Sequence, residues 1–275
     1  MSWPCTCSLM RWHLVSEKSL AEQLLSGRIA VVTGGGTGIG RAITLKLAEL
    51  GAQVFILGRT AETLEQTAGM ALAGRVLPIV ADVREGDQVD AALDRILQET
   101  PGIDILVNNA GGQFVAAAED INAKGFRAVT RLNLDATWYL TTAVATRSML
   151  PRGYGKVICI TITPRGALPG MAHSGAARAA VESLIRTWAV EWGARGVRTV
   201  GVAPGIVHTE AFDRYGVDPA KVAAVVPLRR LQRPEEIADL VAFIASPSGD
   251  YITGTTIVMD GGLDMVGPNH MPTST

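Results

Sequence analysis

Read for hydrophobic and polar positions, the chain from Arg28 onward alternates two patterns. Short runs rich in β-branched and apolar residues recur as RIAVVT (28–33), QVFILG (53–58), RVLPIVA (75–81), IDILVNN (103–109), KVICITI (156–162), VRTVGVA (197–203) and TTIVMD (255–260). These runs are continuously apolar, which predicts strands covered on both faces. Between them lie amphipathic segments near 38–50, 60–73, 85–99, 120–150, 172–194 and 234–246. Strand and helix in regular succession imply a parallel sheet joined by right-handed crossovers. The expected fold class is α/β, a doubly wound parallel sheet of about seven strands with helices on both faces.

The two ends break the pattern. Arg11, His13, Glu17 and Lys18 interrupt the first 26 residues, so these carry no apolar signal-like core. Residues 1–26 are expected to form a loosely ordered arm with a short helix near 17–25, and the Gly-, Pro- and polar-rich 263–275 a fraying tail. One domain, 27–262, lies between. No apolar run reaches the roughly 18 residues that a membrane span needs. The chain is 48% hydrophobic but 5% aromatic with 30 glycines, which predicts a core of Ala, Val, Ile and Leu. A net charge of −1 removes any bulk electrostatic case for nucleic acid or an anionic membrane. Cys5, Cys7 and Cys159 make no ligand spacing and no even disulfide set, so no metal and a reducing cytoplasm are expected.

Candidate chemistry begins at VVTGGGTGIGRAI (31–43), between the first strand and first helix. Glycine lets backbone approach a pyrophosphate, and the helix start beyond it offers unpaired N–H groups and a positive dipole end. Gly34, Thr37, Gly38, Ile39 and Gly40 are therefore the expected cradle of a dinucleotide in a Rossmann-like domain. The second strand ends in Gly58-Arg59, where NAD enzymes commonly carry an acid for the ribose 2′-hydroxyl. A guanidinium suits a 2′-phosphate, so NADP(H) is favoured, with NAD(H) the alternative and Arg41 and Thr60 as helpers.

These residues, with ADV (81–83), NNAG (108–111), Asn133 in RLNLDATWYL, PGIVHT (204–209) and YITGTTIVMDGG (251–262), resemble the short-chain dehydrogenase/reductase family over about 27–262. NNAGGQF (108–114) and HSGAARAAV (173–181) are similar to the branch of peroxisomal trans-2-enoyl-CoA reductase and 2,4-dienoyl-CoA reductases. Citronellol/citronellal dehydrogenase-like proteins share similar strings. The resemblance implies that Asp82 and Val83 hold adenine, and that Asn108, Ala110 and Gly111 line the ribose and stabilise the sheet. It places Pro204, Gly205, Ile206 and Thr209 at the nicotinamide and gives Asn133 a helix carbonyl and a catalytic water. It also implies a homotetramer.

The family's usual Tyr and Lys are replaced here by Ser174 and Arg178. A serine hydroxyl is a poor general acid beside a phenol, and a guanidinium holds ribose but shuttles no proton. Carbonyl reduction of the tyrosine type is thereby compromised. Reduction of a double bond conjugated to a thioester asks instead for donors around an enolate oxygen. Ser174 with Thr161 or Thr163 is the expected donor set, and an acyl-CoA the expected substrate. Carbonyl or alcohol oxidoreduction would need His173 or Tyr215 as acid. A third reading is a weakly catalytic dinucleotide-binding protein. Residues 206–232 are the expected lid, with Arg229, Arg230 and Arg233 facing solvent or pairing with Glu235 and Glu236.

Overall fold

A computed structural model describes residues 24–71, 75–163, 167–210, 212 and 216–266. Its seven strands are β1 Ile29–Thr33, β2 Gln53–Gly58, β3 Arg75–Val80, β4 Ile105–Asn108, β5 Gly155–Ile160, β6 Val197–Pro204 and β7 Thr255–Met259. They form one parallel sheet in the order β3-β2-β1-β4-β5-β6-β7. The helices are α1 Gly38–Glu49, α2 Ala61–Gly69, α3 Gly86–Glu99, α4 Ala123–Thr130, α5 Ala136–Val144, α6 Leu150–Arg152, α7 Ala172–Trp192, α8 Pro219–Ala223, α9 Pro234–Ala245 and α10 Leu263–Val266. Two π turns, Arg131–Asp135 and Ala145–Met149, join α4, α5 and α6.

The unbroken apolar runs have a simple cause. Successive side chains leave a strand on opposite faces, and both faces are covered. Val31 packs with α3, α5 and α7 through Leu93, Val144 and Ile185. Its neighbours Ala30 and Val32 pack with α1 and α9 through Ile43, Leu47, Ile237 and Val241. Pro78 sits on β3, an edge strand, where a missing N–H costs least.

Differences from the sequence reading are confined to ends and joints. Leu25, assigned above to the arm, is 1% exposed and donates its N–H to the Leu50 carbonyl, so the folded body starts before residue 27. The helix expected at 120–150 starts at Ala123 and is interrupted by its π turns. The short α8 and α10 had no periodic signal. Most of the helix expected near 17–25, Cys5 and Cys7, and the tail from 267 lie outside the described residues.

Because β1 pairs with β2 on one side and β4 on the other, the chain winds in opposite directions from that seam. Ligands of such sheets bind beyond the strand carboxyl ends at this seam. The glycine loop, Arg59, Asp82, Asn109, Thr161 and Gly205 all follow strand ends there.

Candidate active site

The glycine loop is shaped by contacts that exclude larger residues. Gly34 and Gly38 have φ of 67° and 50°. A Cβ on Gly40 would collide with the Gly34 carbonyl and the Asn109 amide. The first turn of α1 holds no acid, and the N-cap Thr37 makes no side-chain bond to it. That leaves a positive helix end bare of protein anions, as a pyrophosphate requires. Thr33 ties the loop across the seam: its Oγ1 accepts from the backbone N–H of Asn109 and Ala110 at 3.0 and 2.9 Å. Asn109 donates its amide back to the Thr33 carbonyl at 2.9 Å. Sequence reasoning missed both residues, although Asn109 stood inside the quoted NNAG.

Asn108 behaves differently from its neighbour. Its amide is 3% exposed and donates to Thr141 Oγ1 at 2.8 Å and Cys159 Sγ at 3.6 Å. It fastens β4 to α5 and β5. Burial pushes the Cys159 thiol up to about 12, which leaves it an inert packing group.

Where adenine is expected, both Asp82 oxygens accept from Arg84, whose hydrogen bond is the main cause of a lowered Asp82 pKa. Val83 is buried beside it. Arg41 is committed to the Gly36 carbonyl, Thr67, Gln66 and Glu210. Arg59 is exposed and has no ion pair among the described residues. Thr209 approaches the loop from the far side, its Cγ2 lying 3.3 Å from where a Gly38 Cβ would stand. Arg41 to Glu210, at 3.2 Å, bridges the same gap.

The reacting end is built from α7, β5 and the loop after β4. Arg178 is 9% exposed; its Nη1 donates to the Ile160 carbonyl at 2.7 Å and its Nε has no partner. Burial lowers its pKa to about 10, so it stays charged at neutral pH. A Cβ at residue 111 would strike Arg178 Nη2, which explains Gly111. Asn133, 0% exposed within a π turn, accepts from the Gly112 N–H at 2.9 Å and donates to the Gly112 carbonyl at 3.0 Å. Its amide clamps a loop, and among the described residues no bond joins it to a helix carbonyl.

The hydroxyls of Thr161 and Thr163, the expected donors, are bonded to the sheet. Each turns its hydroxyl onto the β6 carbonyl that its own N–H already bonds, Val202 for Thr161 and Pro204 for Thr163, at 3.3 and 2.9 Å. Ser174, 0% exposed, donates to Gln113 Oε1 at 2.8 Å. Gln113 was not singled out by the sequence, because a carboxamide in a loop has no periodic or charge signal. His173 accepts at Nδ1 from the Ser174 N–H at 2.7 Å and packs edge-on against Phe114 at 4.3 Å, with Nε2 buried and unpartnered. No phenol stands here among the described residues. Tyr139 bonds Asp90, Tyr154 lies under Arg28, Tyr251 is fully exposed, and Tyr215 is outside the described residues.

The two ends of the segment expected to act as a lid, 206–232, are tied to each other. Gln232 exchanges backbone bonds with Ile206 and His208, and its Oε1 accepts from the Gly205 N–H at 3.1 Å. Arg230 forks onto Glu236 at 2.8 and 2.6 Å. That hydrogen bond is the main reason the Glu236 carboxyl is pushed down to about 2. Pro204 and Ile206 lie between these anchors and β7.

The chain is similar to known reductases and dehydrogenases over most of its length. The profile of a family described as Enoyl-(Acyl carrier protein) reductase matches residues 34–264. A probable 2,4-dienoyl-CoA reductase of Bacillus subtilis is 37% identical over 86% of this chain and 96% of its own length. A peroxisomal 2,4-dienoyl-CoA reductase of Danio rerio is 35% identical over 91% of this chain and 86% of its own. Among solved structures, a citronellol catabolism dehydrogenase of Pseudomonas aeruginosa PAO1 superposes with a TM-score of 0.80. It is 39% identical over 88% of this chain and 97% of that one.

Proposed function

We propose, from the premise that this chain belongs to the short-chain dehydrogenase/reductase family and is an oxidoreductase of it, that it reduces a double bond conjugated to a thioester. NADP(H) is the proposed nucleotide and an enoyl- or dienoyl-CoA the proposed substrate class. One observation carries this reading. The position four residues before Arg178 that would hold a phenolic acid holds Ser174, whose hydroxyl donates to Gln113 and offers a hydrogen bond rather than a phenolic proton.

The described residues suit a dinucleotide. The bare α1 N-terminus and Gly40 admit its phosphates, and the exposed Arg59 suits a 2′-phosphate. Buried Arg178, with an orphaned Nε, suits the nicotinamide ribose. Thr209 and Ile206 suit the carboxamide and ring face. When bound, the reduced nicotinamide supplies a hydride.

The residues of this chain then have a limited task. As hydride joins the terminal carbon of the conjugated system, the π electrons move to the thioester oxygen. Donors beside Ser174 hold that enolate oxygen, and water delivers a proton to carbon. The thioester gains one hydride and one proton while the nucleotide is oxidised. A preorganised donor there is worth on the order of 10² to 10³ in rate. A ketone would place an alkoxide at the same spot, which needs a matched acid; no phenol stands there among the described residues, and the neighbouring His173 is wholly buried.

Similarity to the citronellol dehydrogenase favours a second reading, carbonyl or alcohol oxidoreduction with His173 as acid. Its buried, unpartnered Nε2 is the observation that supports it. Product analysis in deuterated water separates the two. The proposed activity leaves a saturated or less conjugated thioester with solvent deuterium on carbon, whereas a hydroxyl product refutes it. The proposal includes a homo-oligomer, supported by the open groove of half-buried Leu134 in the first π turn, exposed Trp138 on α5, and half-buried Ala180 and Leu184 on α7. Light scattering reads its mass.

A further inference from the structure

We propose that the ion pair between Arg41 and Glu210 is a latch that holds the segment after β6 closed over the glycine loop and sets how fast a dinucleotide leaves; this rests on the dinucleotide reading above. Three observations converge on it.

First, Arg41 is a fixed post. Its Nη2 donates to the Gly36 carbonyl at 2.8 Å and to Gln66 Oε1 at 3.2 Å. Its Nε donates to the Gly36 carbonyl and to Thr67 Oγ1, both at 3.2 Å. Thr67, 0% exposed on α2, donates to the same Gly36 carbonyl at 3.1 Å. These bonds fasten α1 to the glycine loop and to α2, and they leave Nη1 for Glu210, 3.2 Å away. The post therefore stands whether the latch is made or broken.

Second, Glu210 comes from the opposite wall of the cleft. Its segment leaves β6 at Pro204 and is tethered near its root, where the His208 N–H donates to the Gln232 carbonyl at 2.9 Å. Beyond it, Phe212 is buried and donates its N–H to the Thr209 carbonyl at 2.8 Å. Thr209 itself packs its Cγ2 against Gly38. The segment thus meets the glycine loop at Gly38 and α1 at Arg41. A dinucleotide cradled by Gly34–Gly40 lies between these two walls, so its release parts the ion pair.

Third, the strength of the pair suits a latch. The Glu210 side chain is 57% exposed and that of Arg41 19%, so water and salt compete for both. Such a pair adds little to the stability of the fold. It biases a closed segment without locking it, as a cover that opens once per turnover requires.

The test uses Glu210→Gln and Glu210→Lys in the full chain, with release and uptake of NADPH and NADH followed by stopped-flow fluorescence. At about 20 mM salt, Glu210→Gln is expected to release NADPH about two- to fivefold faster than the parent, with association within about twofold. Glu210→Lys places like charges side by side and is expected to release it faster still. The gap between Glu210→Gln and the parent should close toward about 1 M salt, where charges are screened beyond about 3 Å. In an Arg41→Gln background, Glu210→Gln should add nothing, because its partner is already gone. Equal release from Glu210→Gln and the parent at low salt overturns the latch. So does a gap that persists at high salt, or a full effect of Glu210→Gln in the Arg41→Gln background. If the parent binds NADPH or NADH and the variants release it at the parent rate, only the latch is refuted. If the parent binds neither, the dinucleotide reading fails and this inference with it.

Discussion

Arg59 and Arg41 flank the same glycine loop, and their environments assign them different work. Arg41 has committed its guanidinium to Gly36, Thr67, Gln66 and Glu210, whereas Arg59 is exposed with no ion pair among the described residues. Replacing Arg59 with Asp should therefore reverse nucleotide preference. The carboxylate accepts from a 2′-hydroxyl and repels a 2′-phosphate. A hydrogen bond to a charged group is worth about 1.5 to 3 kcal/mol, so the ratio of NADPH to NADH dissociation constants should move by at least about tenfold. An unchanged ratio would contradict the assignment. At this scale the sequence was readable where one residue type has one use. Glycines, Arg59 and the Ser174/Arg178 pair stood out by identity and spacing. Gln113, Asn109 and Thr33 did not, since ordinary polar side chains reveal their role only once the fold shows what they face.

Elements decide how firmly those side chains are held. The π turn at Arg131–Asp135 places Asn133 against Gly112, a joint that helical periodicity cannot announce. Asn133→Ala leaves a part-buried N–H and carbonyl without partners, at about 1 to 3 kcal/mol. Urea unfolding should show the lower midpoint with an unchanged slope. A stability equal to the parent would mean that the clamp is incidental. The lid end offers a pH test. Glu236 is held below its ordinary 4.5, down to about 2, chiefly by Arg230. A lowered carboxyl stabilises the fold above its unfolded value and loses that contribution as pH falls from about 4.5 toward 2. Thermal melts of Glu236→Gln should lie below the parent at pH 6 and converge with it toward pH 2. The pair is exposed, so the gap will be small. A constant gap across that range would contradict the pairing.

For the molecule as a whole, hydrophobic pattern sufficed. Seven apolar runs gave seven parallel strands, and the seam between β2 and β4 around β1 put every strand-end motif in one cleft. What pattern could not give was the state of each hydroxyl. Thr161 and Thr163 are on the right strand end but face its neighbour. The central claim is that this cleft stabilises an enolate with fixed donors and, among the described residues, has no phenolic acid for an alkoxide. The direct test is kcat/KM with NADPH for a trans-2-enoyl-CoA and the 3-oxoacyl-CoA of equal chain length, side by side at neutral pH. The account predicts a preference for the enoyl thioester of at least about 100-fold, the worth of one preorganised donor. Equal or faster turnover of the 3-oxoacyl thioester would contradict it.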